Sequence, residues 1–416
     1  MVDLIDMLTT VSGAKGTLER RVEPTPRERR YTVISVDDHF IEPPDLFEGR
    51  VPSALADRAP KVVRHDDADW WVLEGAEVPL LGSEAIQTWT PGKGHHGPVR
   101  FDEIREGAWD VHQRVHDMDL NGIAASLCFP SAPWGFAGQT FMRMADAELG
   151  LACMRAFNDW ILEGWVGAHP DRFLPCQVTW LADPRVAAAE IERNAERGFT
   201  SVTFSENPYK LGLPSIHQPH WDPFLRACEE TGTVVNLHVG SSSETFVPSP
   251  DSIQALAVLF PVNSMAACAD WLYARVPARF PDLKVVLSEG GIGWVPMMYD
   301  RIDYSLRHGT GSKNFGDDDP IELARRCFRF TTFSDGRTMS LRHEIGVDRI
   351  MVETDYPHSD SSWPDTQALL ARQLHDVPED EAAQLTWRNA AELYRFALAD
   401  APVGPATKAT TATTAP

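Results

Sequence analysis

This chain is short of several features, and each shortage removes a class of protein. No apolar run reaches the roughly 18–20 residues that a membrane-spanning helix needs. Cationic side chains are scarce: 38 Lys and Arg stand against 60 Asp and Glu, a formal charge of −22. That balance argues against nucleic acid or an anionic membrane as a partner, since both are held by basic excess. Only six cysteines occur, scattered and without a C-x-x-C pair, so neither a disulfide scaffold nor a zinc ribbon is expected. Reduced, buried thiols in a cytoplasmic protein are the expectation. Residues 1–30 lack an apolar stretch followed by a small-residue cleavage site and read as a polar leader rather than an export signal. Residues 400–416 are a Thr/Ala/Pro-rich tail with nothing to bury and are expected to be disordered. Neither a repeat of 20–50 residues nor a glycine-rich phosphate turn is present.

What remains is an alternation. Short β-branched runs recur at 32–36, 123–129, 173–178, 200–204, 233–237, 284–287, 328–332 and 349–352, with helical stretches between them. Eight βα units predict an α/β fold, a (β/α)8 TIM-type barrel over residues 31–399. The stretch from about 43 to 119 is too long for one βα loop and carries Trp70, Trp71, Trp89 and Trp109 beside His95 and His96. It is expected to be a lid or an interface after strand 1.

In such a barrel the C-terminal strand ends converge on one mouth. Asp37 and His39 leave the first run two residues apart and so on one face. Later runs end at Glu206, His238, Glu289 and Asp355. One polar residue after an apolar strand is ordinary capping; a buried histidine can be a hydrogen-bonded core residue, and Glu289 a helix-start carboxylate. A set of carboxylates and imidazoles converging on one opening instead suits a divalent metal.

The motifs Asp37-Asp-His-Phe-Ile-Glu-Pro43, Asp117-Met-Asp-Leu-Asn-Gly122, Phe157-Asn-Asp159, His169-Pro-Asp-Arg-Phe173, Leu287-Ser-Glu-Gly-Gly-Ile-Gly293 and Thr354-Asp-Tyr-Pro357, together with the strand ending at His238, carry a resemblance. As an ordered set over residues 31–398, the chain resembles the metal-dependent amidohydrolase superfamily. The similar branch contains aminocarboxymuconate-semialdehyde and resorcylate decarboxylases. The resemblance implies a metal held by Asp37, His39, His238 and Asp355, with Asp355 also handling protons. Two departures stand out: Asp37 replaces the usual His or Glu, and Glu289 stands where the decarboxylases have a catalytic histidine.

An ionised carboxylate cannot take over an imidazole's role in kind. Four carboxylates with two imidazoles also exceed the charge of one divalent ion. The expectation is therefore one or two ions per chain (Fe, Mn or Zn). In the binuclear arrangement, Asp37, His39 and Asp355 hold one ion, and His238 and Glu289 the other. Glu206 stands at the bridging position of binuclear relatives. The expected reaction is hydrolysis of an acyl bond in a largely apolar small molecule, with Asp355, His358 and Glu289 as catalytic groups. The alternatives are non-oxidative decarboxylation of an aromatic or unsaturated acid, and a metal-stabilised barrel that only binds. Arg50 and Arg100 are the candidate anchors for a substrate carboxylate, and a homodimer is the expected assembly.

Overall fold

The computed structural model describes residues 17–399, except 66, 310 and 311. The tail at 400–416 and leader residues 1–16 lie outside the described residues. The fold is α/β. Strand β1 (Ile34–His39) is wholly buried and is followed by the antiparallel β2 (Lys61–His65), β3 (Ala68–Leu73) and β4 (Ala76–Pro79). Then come β5 (Ala125–Phe129), β6 (Phe173–Leu174), β7 (Cys176–Val178), β8 (Ser201–Phe204), β9 (Val234–His238), β10 (Val285–Ser288), β11 (Phe328–Thr332) and β12 (Ile350–Val352). Each of the eight expected strands is found within a few residues of its place.

All the large-sheet pairs are parallel, in the orders β1-β5-β6 and β7-β8-β9-β10-β11-β12. Pro175 alone separates β6 from β7; it has no N–H to give a ladder, which accounts for the interruption. At the other seam, Asp355 N donates to Asp37 O at 2.8 Å and His39 N to Tyr356 O at 2.7 Å. Asp38 ties the same seam from the opposite face of β1, accepting from Ser126 and Thr354 hydroxyls and from Tyr356 N. Parallel strands buried on both faces read as continuous apolar runs, which is why the sequence pattern located them.

The helices that follow show their own signals. Pro184–Arg197 begins behind Asp183, whose carboxylate accepts from Arg185 N at 2.8 Å, and stops at Gly198, whose φ of 111° suits the left-handed cap. The insertion carries the β2-β3-β4 sheet and a small core of its own, in which Ile41, Leu80, Trp89, Val99 and Ile104 pack together. Trp89 is buried in that small core, and Trp71 is buried in the main core. Trp71 meets Trp134 edge-on at 5.1 Å, and Phe47, Phe141 and Phe157 complete the shell around Trp134. Trp134→Ala should lower stability by about 3–5 kcal/mol, because this rigid aromatic shell cannot collapse into the void. Equilibrium urea unfolding would check it, and a loss under about 1 kcal/mol would contradict a packed shell.

Leader residues 17–30 lie along this region: Arg21 donates to Gln87 Oε1 at 2.9 Å and Arg27 pairs with Asp365 at 2.7 Å. No helix among the described residues is long and apolar enough to cross a membrane.

Candidate metal centre

The end of β1 aims Asp37 and His39 at one point, and the end of β9 brings His238 to it. His39 Nε2 lies 3.1 Å from His238 Nε2, and Asp37 Oδ1 lies 3.5 and 3.4 Å from those two nitrogens. Asp355, three residues past the end of β12, places Oδ1 3.4 Å from His39 Nε2. All four side chains are buried.

The tautomers follow from the remaining contacts. His39 Nδ1 faces Pro130 O at 3.3 Å and His238 Nδ1 faces Val239 O at 2.7 Å. A carbonyl oxygen only accepts, so each Nδ1 carries the proton and donates it. With both rings neutral, two Nε2 lone pairs face each other across 3.1 Å, an arrangement that repels unless a metal cation or a shared proton stands between them. Two nitrogens at about 2.1 Å from one ion and near a right angle would be about 3 Å apart. Both oxygens of Asp37 are buried without a hydrogen-bond donor, and such an orphaned carboxylate is costly. The donor set therefore fits one divalent ion held by Asp37, His39 and His238, with Asp355 at its edge.

The charges follow the same crowding. Burial pushes the Asp37 carboxyl up, but His238 and His39 outweigh it and hold the group well below its ordinary value. Burial and the neighbouring His358 bring His39 down to about 3. His238 is desolvated too, yet Asp37 and Glu289 raise it to about 9. Burial, then Asp360 and Asp37, push the Asp355 carboxyl well above the usual carboxylate range.

Around this core lie residues of two kinds. Glu289 is brought to the edge of the group, its Oε2 3.7 Å from His238 Nε2. Its backbone is left-handed (φ 62°), and its N–H is fixed by Thr331 Oγ1 and Glu353 Oε2 at 3.0 and 3.1 Å. Asp355 is left-handed as well (φ 52°). Two non-glycine residues held in this region at one mouth are strained positions of the sort found at functional sites. The adjacent Gly290 has a packing reason: a Cβ there would sit 2.2 Å from Ser264 Oγ. His358 stacks on His39 with centroids 3.8 Å apart and turns Nδ1 to Asp355 Oδ1 at 3.0 Å.

Glu206 does not join the cluster. Its carboxylate accepts from Ser241 Oγ, from Ser242 Oγ at 2.6 Å and from Asn263 Nδ2 at 3.1 Å, so the bridging position expected of it is occupied by hydroxyl and amide donors. Arg100 is not free either, because Asp102 at 2.8 Å and Glu103 at 3.3 Å pair with it. Arg50 turns back to Leu46 O at 3.1 Å.

Three contributors were missed by sequence reasoning. Glu84, from the insertion, lies 3.7 Å from His358 Nε2, and its neighbour Gln87 clasps the same loop through Ser359 O at 2.7 Å. Nothing periodic in the insertion announces it. Asp360 groups with Glu289 and Asp355; its spacing after Asp355 and His358 was a readable signal. Glu42 is the third: it lies just beyond β1, accepting from Ser131 N at 3.0 Å and from the Ser131 hydroxyl.

Burial pushes Glu42 up to about 8, against these two donors. A carboxyl raised from near 4.5 binds its proton more tightly in the folded chain. Stability from this group is therefore whole below about pH 4.5 and falls as pH climbs toward about 8. Glu42→Gln should flatten that fall, sparing on the order of 3 kcal/mol between about pH 5.5 and pH 8.5. Urea titrations of both proteins at the two pH values would measure it; parallel behaviour would refute it.

The amidohydrolase family model matches residues 135–396, more than half of the sequence. The chain belongs to the amidohydrolase family, as the metal-dependent strand-end cluster of an α/β fold already suggests. Similar solved structures are TIM barrels of this superfamily. Amidohydrolase map2389c from Mycobacterium avium subsp. paratuberculosis K-10 is 21% identical with a TM-score of 0.69, over 88% of this chain and 99% of its own. 5-Carboxyvanillate decarboxylase LigW from Sphingomonas paucimobilis is 23% identical with a TM-score of 0.59, over 88% and 100%. A dihydroxybenzoic acid decarboxylase from Polaromonas sp. JS666, solved with bound manganese and 2-nitroresorcinol, is 20% identical with a TM-score of 0.60, over 88% and 97%. No curated protein matches the chain.

Proposed function

We propose that this protein is a metal-dependent, non-oxidative decarboxylase of an aromatic or unsaturated carboxylic acid, working with one manganese ion in a closed eight-stranded barrel under the insertion. The observation that carries this reading is the engagement of Glu206. A binuclear hydrolase centre was expected to draw its bridge from that residue, and the bridge is tied up by two serines and an asparagine. The order of the two expected reactions therefore reverses. Manganese-bound decarboxylases among the structural neighbours support the same choice.

When bound by Asp37, His39 and His238, the ion supplies Lewis-acid charge that holds and polarises an acidic substrate. The chain's own groups do the rest. Phe129 and Phe136 wall the imidazoles, Phe136 with its ring 4.4 Å from His238 and 5.0 Å from His39, and they keep water from the reacting carbon. Asp355, whose carboxyl burial pushes above the usual carboxylate range, is the group placed to deliver a proton to the carbon that bears the carboxylate. The carbon–carbon bond then breaks, carbon dioxide leaves, and its electron pair stays with the substrate. His358, within 3.0 Å of Asp355, restores that proton.

Acyl-bond hydrolysis is the second reading, favoured by the Glu289, Asp355 and Asp360 carboxylate group, which offers hard ligands for a further cation. Manganese-replete protein incubated with hydroxybenzoates, unsaturated acids, thioesters and lactones separates the two. Carbon dioxide release without ester or lactone turnover is expected. Hydrolysis with no carbon dioxide would overturn the proposal.

A further inference from the structure

The insertion after β1 meets the loop after β12 through one short helical segment, Gly82–Thr88. Gln87 of that segment fastens the loop at two points: its N donates to Pro357 O at 3.3 Å and its Nε2 to Ser359 O at 2.7 Å. These are the residues on either side of His358. From behind, Arg21 of the leader donates to Gln87 Oε1 at 2.9 Å and lies over the Trp363 ring at 5.4 Å. Backbone clasps on both neighbours fix where His358 leaves the chain. They do not fix which way its ring is turned.

The ring itself has three contacts. One face stacks on His39 with centroids 3.8 Å apart, which sets the plane. Nδ1 faces Asp355 Oδ1 at 3.0 Å. Nε2 is buried, has no hydrogen bond of its own, and faces Glu84 Oε2 at 3.7 Å. Glu84 is buried as well, and the same oxygen accepts from Ala132 N at 3.0 Å. One carboxylate from the insertion thus addresses the loop after β5 and the loop after β12 together.

An imidazole turned by half a rotation about its Cβ–Cγ bond keeps its plane and puts carbon where each nitrogen stood. Stacking alone cannot separate the two arrangements, whereas a carboxylate opposite each nitrogen can. A gap of 3.7 Å is an ion-pair distance, attractive where water is excluded. Contacts of reacting groups often stand long before substrate binds and shorten with it. An acid–base imidazole oriented by a third group is a recurrent device.

We infer that Glu84 is a positioning residue, holding the His358 ring with Nδ1 toward Asp355, so that the insertion supplies part of the reacting apparatus. The inference deepens the decarboxylase reading and rests on it for the proton passed between His358 and Asp355.

The test uses the full, manganese-replete chain carrying Glu84→Gln, whose amide oxygen still accepts from Ala132 N. Its kcat for carbon dioxide release should fall about 10–100-fold, with KM within about threefold of wild type and manganese content unchanged. Glu84→Asp, with the charge on a shorter arm, should recover part of the loss. Wild-type kcat in Glu84→Gln, or a fall in kcat that tracks a loss of manganese, would overturn the inference. The ring is also read without turnover, by nitrogen NMR of isotope-labelled histidine in zinc-loaded protein, with the His358 signals identified by their absence in His358→Gln. Wild type should show one ring arrangement, and Glu84→Gln a second set of signals from the released ring. A single set like that of wild type in Glu84→Gln would also overturn the inference. Failure of the reaction assignment looks different: wild type releases no carbon dioxide, while the second set of His358 signals still emerges in Glu84→Gln.

Discussion

Asp37→Asn and His238→Ala should each lower manganese from about one ion per chain to below about 0.1 after dialysis, and turnover should fall with it. Loss of a hydrogen-bond partner of a ligand already weakens metal binding about 10–100-fold, so loss of a ligand exceeds that. The two substitutions act through different atoms on one centre. Asp37 supplies the charge that offsets the cation, and His238 one of the two lone pairs that face each other across 3.1 Å. Elemental analysis of purified, metal-replete protein reads the result directly. Retention of a full ion in both variants would place the metal elsewhere and remove the foundation of the proposed chemistry.

Asp355→Asn should separate binding from reaction. Its carboxyl is buried and stands between His39 and His358, 3.4 and 3.0 Å from their ring nitrogens. An amide keeps the shape but cannot hold and release a proton. A general acid contributes about 10²–10⁴-fold, so kcat should drop by that range. Manganese should remain largely bound through Asp37, His39 and His238. Removal of a buried, crowded acid should also leave the fold at least as stable, which thermal unfolding would register. A variant that keeps more than about a tenth of wild-type kcat would take Asp355 out of the proton path.

The legibility of this chain followed the physics of each part. Parallel strands buried on both faces leave apolar runs, so Val285-Val-Leu287 and Ile350-Met-Val352 could be read from composition alone. The β1 pair was legible because a period of two fixes Asp37 and His39 on one side. Glu206 and His238 are each polar at the end of an apolar run, with His238 the stronger ligand signal of the two. Only the spatial arrival of Ser241, Ser242 and Asn263 distinguishes a carboxylate with donors from one without. Glu84 was unreadable for the complementary reason: it lies in a short 3-10 helix, Gly82–Thr88, and its place beside His358 depends on how the insertion packs against the loop after β12. The insertion's tryptophans were read as part of a lid or an interface; Trp71 and Trp89 are packing residues, and the aromatic wall near the imidazoles comes from Phe129 and Phe136.

Both imidazoles are anchored by main-chain carbonyls, Pro130 O and Val239 O, rather than by other side chains. A point substitution can delete a side chain but not a carbonyl. The choice of which ring nitrogen faces the ion is thus inherited with the path of the backbone. Descendants of this sequence can exchange walls, acids and anchors around the opening while the pair of nitrogens keeps its aim.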